Sequence, residues 1–215
     1  MDGMDLMDRM DPKNNRRSVI TLAIETSTPH GGVAVHDGDT LLFSEGFVSD
    51  RGHSSLLFPL LQAALARGPV EQIAVGLGPG SYAGVRIAIA TAMGLELTLG
   101  VPLVGLPSVA ALAGDRAYTA VGDARRVTWY WTKVARGVCV EGPLLLDDAE
   151  FRGRLAATEG PIFSTEPLPE LATQIAFPSA ETIAALAAQG RGIVATGALE
   201  PIYLREPHIT KPKPR

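Results

Sequence analysis

Gly76–Glu96 reads GLGPGSYAGVRIAIATAMGLE. It starts at the end of a short apolar run, Gln72–Gly76, of the length of a buried strand. Gly78-Pro79-Gly80 interrupts the run with a tight turn, and Ser81 stands where an N-cap is needed. The spacing then predicts a helix over Tyr82–Leu99, whose only charges are Arg86 and Glu96. A helix with so little polar surface is covered on more than one side. Gly84, Ala88 and Ala92 recur every fourth residue along it and form a stripe of small side chains open to a second helix. Strand, glycine turn and apolar helix make an α/β unit.

Upstream lie three more strand candidates. Ser18–Ile24 is apolar and β-branched and runs into Glu25-Thr26-Ser27-Thr28, then the turn cluster Pro29-His30-Gly31. Gly32–His36 and Thr40–Phe47 flank Asp37-Gly38-Asp39, a hairpin turn. From about Gly52, Leu56, Leu57, Leu60, Leu61, Ala64 and Leu65 fall on one face of a helix, which Arg67-Gly68-Pro69 ends. Downstream, Leu103–Gly105 is a strand and Ser108 is expected to cap a helix reaching Ala113. Thr119–Gly122 and Val127–Lys133 read as strands around Asp123-Ala124-Arg125, and Val134–Glu141 continues the hairpin pattern. Beyond Pro143 the pattern loosens until the helix Ser179–Gln189.

Composition narrows the class. Apolar residues make up 46% of 215, ample for a packed core. Cys139 is the only cysteine, so no internal disulfide forms, and a lone thiol fits a reducing cytoplasm. The net charge of −4 argues against a protein that grips RNA phosphates unaided. Leu97–Gly114 is uncharged for 18 residues, but Gly100, Pro102, Gly105 and Pro107 divide it into short pieces, so no membrane span is expected. Four divisions are expected: a disordered Met-Asp leader over 1–17, a lobe over 18–114, a reduced lobe over 115–205 and a mobile basic tail over 206–215.

The order strand-strand-strand-helix-strand-helix is α/β, with antiparallel strands at one edge of a mixed sheet. It is the order of the actin, hexokinase and Hsp70 superfold, which by itself gives no chemistry. Three segments take the resemblance further: LAIETST at Leu22–Thr28, the stretch Gly76–Glu96, and GDAR at Gly122–Arg125. HSSLLFPLL at His53–Leu61 and PIYLR at Pro201–Arg205 add to it. Together they resemble the TsaB (YeaZ) family, formerly grouped with glycoprotease-like peptidases. The resemblance implies an actin-like fold of two lobes, the second reduced. It implies a non-catalytic subunit that pairs with a catalytic paralogue, TsaD, and works with a small ATPase, TsaE, to place threonylcarbamoyl on the tRNA adenosine beside the anticodon. It implies tRNA contact mainly through those partners, and a homodimer when they are absent is a further possibility.

The candidate site residues fall into three groups, each with a plainer structural role beside the functional one. Glu25, Thr26 and Ser27 with Gly78, Gly80 and Ser81 form a possible phosphate or nucleotide loop. The plain alternative is a strand-to-helix turn that needs glycine, with Glu25 as a turn cap. No Lys follows the loop as in a P-loop, so ATP or ADP is expected weakly at most, with no tightly bound cofactor. Asp123 and Arg125 either face a cleft between the lobes or simply pair with each other. His53, Leu56, Leu57 and Leu60 with Gly84, Ala88 and Ala92 are the candidate partner interface.

Catalysis finds no support. The histidines His30, His36, His53 and His208 have no i, i+3 or i, i+4 spacing, whereas a catalytic zinc needs about three protein ligands and an open position. The TsaD paralogue carries two histidines separated by two residues; here the position three after His53 is Leu56. No nucleophile elbow occurs. The competing readings are a stand-alone actin-fold phosphotransferase, for which Gly190 and Gly192 offer no adjacent glycine pair, and a metallopeptidase.

Overall fold

The structure, a computed structural model, describes residues 18–49 and 53–204. The leader, the tail, Gly52, Arg205 and the side chain of His53 lie outside the described residues.

Strands β1 (Ile20–Glu25), β2 (His30–Asp37) and β3 (Thr40–Val48) form an antiparallel meander. Helix α1 (His53–Leu65) leads to β4 (Gln72–Gly76), and α2 (Tyr82–Leu99) leads to β5 (Leu103–Leu106). β4 lies parallel to β1 and β5 parallel to β4. The sheet is completed by a late strand, β11 (Ile193–Val194), so its order, numbered along the chain, is β11-β5-β4-β1-β2-β3.

The pleat explains how this sheet is sandwiched. Side chains alternate between faces along a strand. Leu22, Ile24, Val33, Val35, Ile73 and Val75 point to one face, where they meet Leu57 and Leu61 of α1 and Val85 and Ile89 of α2. The intervening residues are Ala23, Ala34 and Ala74, and on that second face the sheet meets α4 (Ala180–Ala188) through Ile183, Ala184 and Ala187. Alanine against alanine lets a short helix lie close to the sheet, which large side chains would prevent.

The second sheet repeats the first. β6 (Tyr118–Asp123), β7 (Thr128–Ala135) and β8 (Val138–Asp147) form a meander, α3 (Asp148–Ala156) follows, and β9 (Ile162–Ser164) and β10 (Gln174–Ile175) run parallel beyond β6. The order β8-β7-β6-β9-β10 is that of β3-β2-β1-β4-β5. This duplicated α/β pattern is the actin-like fold, with the second unit lacking a counterpart to α2.

Three expectations are corrected. Ser108 starts a four-residue 3-10 turn, Ser108–Ala111, rather than a helix to Ala113. The turn is fully buried between the sheets: Ala111 packs with α4, while Val109 and Ala110 pack with Tyr118 and Phe163. The loose region after Pro143 contains the rest of β8 and all of α3, whose cap Asp147 accepts from the Glu150 amide. Residues 115–205 do not stay together: α4 packs on the first sheet and β11 (Ile193–Val194) pairs with β5.

Candidate functional site

Three turns meet at a cleft of about 1510 Å³ between the two sheets. Ser27, Thr28 and His30 come from the end of β1 and the start of β2, Gly80 and Ser81 from the turn into α2, and Asp123, Arg125 and Arg126 from the end of β6. Two of the groups singled out in the sequence thus face each other across one space.

The glycine turn is shaped by close approach. The Ser81 amide donates to the Ser27 carbonyl at 2.6 Å, and a side chain at position 80 would collide with that same carbonyl. Position 84 is equally closed, since a side chain there would strike the Thr26 carbonyl. The Thr26 hydroxyl donates to the Gly84 carbonyl at 2.7 Å, and Ser81 Oγ accepts from the Gly84 amide at 3.2 Å as the N-cap. Gly78 has a φ of 86°, which only glycine adopts freely. Its amide donates to Ser108 Oγ and its carbonyl accepts from the Ser108 amide, so the turn is stapled to the buried 3-10 segment.

Glu25 closes β1 beneath this turn and is fully buried. Its Oε1 accepts from the Ser27 amide, the turn-capping arrangement weighed above. Its Oε2 lies against the Gly76 backbone and satisfies hydrogen-bond geometry with no group. Burial pushes the carboxyl above its ordinary range, and the nearby hydroxyls of Ser27 and Ser108 offset this only in part. Glu25 does not line the cleft.

On the opposite wall, Asp123 and Arg125 form an ion pair at 3.2 Å, and the Arg125 amide also donates to Asp123 Oδ1. Both readings of this pair hold, for its members also line the cleft. The arginine is largely exposed, so the pair adds little to stability. Arg125, Arg126 and Val127 all have positive φ, a left-handed run that is costly for non-glycine residues. Sequence reading missed Glu166, whose Oε1 accepts from the Asp123 amide at 2.9 Å, and the stacked rings of His30 and Phe177 at 3.7 Å. Residues 166 and 177 lie in the Pro-rich stretch, where no periodicity marked them.

Among the described residues no three of His, Cys, Asp and Glu are grouped to hold a metal. Gly190 and Gly192 sit between α4 and β11, at the edge of the first sheet.

The small-residue stripe points the other way from the expectation. Gly84, Ala88 and Ala92 are buried in α2's own contact with the sheet, as is Leu57 of α1. Those positions cannot meet a partner, because the stripe lets α2 approach the sheet instead. The outer faces carry Leu56 and Phe58 on α1, and Tyr82, Ala83, Ala90, Gly94 and Leu97 on α2. Phe58 is 57% and Leu97 84% exposed, and Leu60 is only half-buried. By length and composition α2 could also cross a membrane, yet one face of it is packed on β4 and β1.

A duplicated actin-like α/β protein with a cleft between its sheets and an apolar outer helix pair is the class so defined. The family model described as TsaD, tRNA N6-adenosine threonylcarbamoyltransferase, matches residues 47–142, which hold α1, the glycine turn and α2. An uncharacterized protein of Mycobacterium tuberculosis is 31% identical over 199 residues, 86% of this chain and 92% of that protein. The tRNA threonylcarbamoyladenosine biosynthesis protein TsaB of Escherichia coli is 32% identical over 128 residues, 54% of each chain. The solved structure of YeaZ from Pseudomonas aeruginosa superposes with a TM-score of 0.66 at 27% identity, over 86% of this chain and all of that one. A second Pseudomonas aeruginosa structure, of an uncharacterized protein with similarity to peptidase YEAZ, gives 0.70 at 27% identity over 87% of this chain and all of that one. The chain belongs to the TsaB (YeaZ) family.

Proposed function

We propose that this chain acts in the biosynthesis of threonylcarbamoyladenosine in tRNA, as a non-catalytic scaffolding subunit in the cytoplasm. Its partner is a TsaD-like catalytic paralogue, with a TsaE-like ATPase alongside, and the partners hold most of the tRNA. The observation that carries the reading is the likeness to proteins named for this pathway, together with a family match that spans both outer helices. The apolar outer face of α1 and α2 supplies a docking surface of suitable chemistry, and continuity with a second copy of the same face accommodates a homodimer. The net charge of −4 fits a subunit that leaves RNA phosphates to others. Depletion of the protein in its own host tests the proposal, with modified nucleosides quantified by mass spectrometry and co-purifying proteins identified. Loss of threonylcarbamoyladenosine with recovery of a TsaD-like partner is expected. Unchanged modification on depletion would overturn it.

A further inference from the structure

A groove of about 420 Å³ adjoins the cleft and shares His30, Val48 and Phe177 with it. Its floor is bare backbone. Gly32 of β2 pairs with Gly46 of β3, and Gly32 alternates with Ala34, which faces α4. Both glycines therefore leave the α4 face of the sheet without side chains at this point. The stacked rings of His30 and Phe177 line the groove, and residues 178–181 at the start of α4 complete it. Its charges are the carboxylates of Glu45 and Glu181, with no Lys or Arg among the described lining residues. Neither carboxylate has an ion-pair or hydrogen-bond partner among the described residues. The chain's own last segment starts beside this groove. The Ile202 amide donates to the Leu77 carbonyl at 2.8 Å, Tyr203 stacks on Tyr82, and Leu204 then lines the cleft. Residues 205–215 follow as REPHITKPKPR, with Arg205, Lys211, Lys213 and Arg215 against a single Glu206. A segment of that length spans at most roughly 36–40 Å when extended, ample to pass from the cleft into the adjoining groove.

We propose that this groove is the docking site of the chain's own basic tail, with Lys211-Pro212-Lys213-Pro214-Arg215 extended over the Gly32–Gly46 floor and its cations toward Glu45 and Glu181. The chemistry matches on three counts. Alternating prolines hold the backbone extended before it binds, so little entropy is lost on docking. Proline-rich segments seat on aromatic surfaces, here the rings of His30 and Phe177. The charges are opposite in sign. Each exposed ion pair adds little by itself. The tether compensates, because a short flexible link presents the tail at millimolar effective concentration, and an intrinsic Kd of about 0.1 mM then docks most of the population. The same tether favours this tail over that of a second copy. The proposal goes beyond the scaffolding role and needs no partner. The groove lies on the α4 side of the first sheet, and the outer helices α1 and α2 cover the other side, so a docked tail leaves them free.

The test is paramagnetic relaxation in the full chain, with a nitroxide attached at Thr210→Cys in a Cys139→Ser background. Selective broadening of the Gly32, Gly46 and Glu181 amides is expected, unchanged on dilution. It should be lost when Lys211→Glu and Lys213→Glu are combined, and equally when Glu45→Lys and Glu181→Lys are combined. No selective broadening at those amides, or broadening that survives the charge reversal in the tail, would overturn the proposal. Broadening that appears only between chains, when spin-labelled protein is mixed with isotope-labelled protein lacking the nitroxide, would also overturn it and assign the groove to a second copy. Should the variant at Glu45 and Glu181 not fold, the reversal at Lys211 and Lys213 decides the matter.

Discussion

The Glu25 carboxylate occupies the space over the Gly76 Cα that any side chain at position 76 would need. The two residues lie on neighbouring parallel strands, β1 and β4, and Ser108 Oγ crowds the same space from the 3-10 turn. Gly76 is therefore small because its neighbours are full-sized, and its φ is unexceptional. Gly76→Ala is expected to cost about 1–3 kcal/mol, the usual range for forcing a methyl into a packed interior. Combining it with Glu25→Ala should recover part of that loss, because residues in contact are not additive. Only part returns, since Ser108 remains. Urea unfolding of the two single variants and the double variant reads the coupling; strict additivity would show that Glu25 is not what closes position 76.

Glu25 also predicts a pH dependence. Its carboxyl titrates above its ordinary range in the folded chain, with burial as the main cause. The native state therefore binds this proton more tightly than the unfolded state does. The contribution to stability is complete below the unfolded pKa and is lost as pH rises toward the folded one. Glu25→Gln keeps the shape and an acceptor for the Ser27 amide but cannot ionise. The variant is expected to match the wild type near the unfolded pKa and to exceed it in stability at about pH 8. A wild-type advantage that grows with pH would mean that the buried carboxylate is charged and held by groups not seen to bond it.

Cys139, on β8 opposite Val134 of β7, is half-buried, and burial pushes its thiol up to about 11. The thiolate is the reactive form, so little of it is present at neutral pH. Alkylation of the native protein by iodoacetamide should be much slower than that of the same protein in urea. Equal rates would mean that β8 opens readily at this point.

The first sheet was legible because each of its signals is local. The Asp37-Gly38-Asp39 turn, the leucine spacing of α1 and the Gly78–Ser81 turn each lie within a few residues of the element they define. The second sheet was less so, since β9 and β10 are three and two residues long and carry no period. Helix α3 was missed even though Asp147, Asp148 and Glu150 mark an N-terminus, because only Phe151 in it is buried and the apolar face is too narrow to register. The cleft groups were found as residue types at turns, while their meeting depends on how two sheets pack, which no local pattern encodes. The orientation of α2 was read one position off. An apolar helix presents small residues on several faces, and the stripe Gly84, Ala88, Ala92 differs from Ala83, Ala90, Gly94 only in which side the sheet takes.

That last difference separates two arginine variants. Ala88 is 0% exposed and packed among Val85, Ala92 and the strands beneath. Ala88→Arg puts an unpaired charge into the core, and loss of the folded state is expected. Ala90 lies on the outer face, between Tyr82 and Leu97 along the helix, with solvent in front of it. Ala90→Arg should leave the monomer within about 0.5 kcal/mol of the wild type, as for an ordinary surface change. If the outer face of α1 and α2 docks on the TsaD-like partner, the same arginine becomes an unpaired charge in a desolvated interface and costs several kcal/mol, enough to dissolve a micromolar complex. Circular dichroism reports the fold, and size-exclusion chromatography with light scattering reports pairing with the partner and self-association. The expected pattern is an unfolded Ala88→Arg and a folded, monomeric Ala90→Arg that no longer co-elutes with the partner. A folded Ala90→Arg that still co-elutes, together with a Leu97→Asp that does the same, would place the docking surface elsewhere on the molecule.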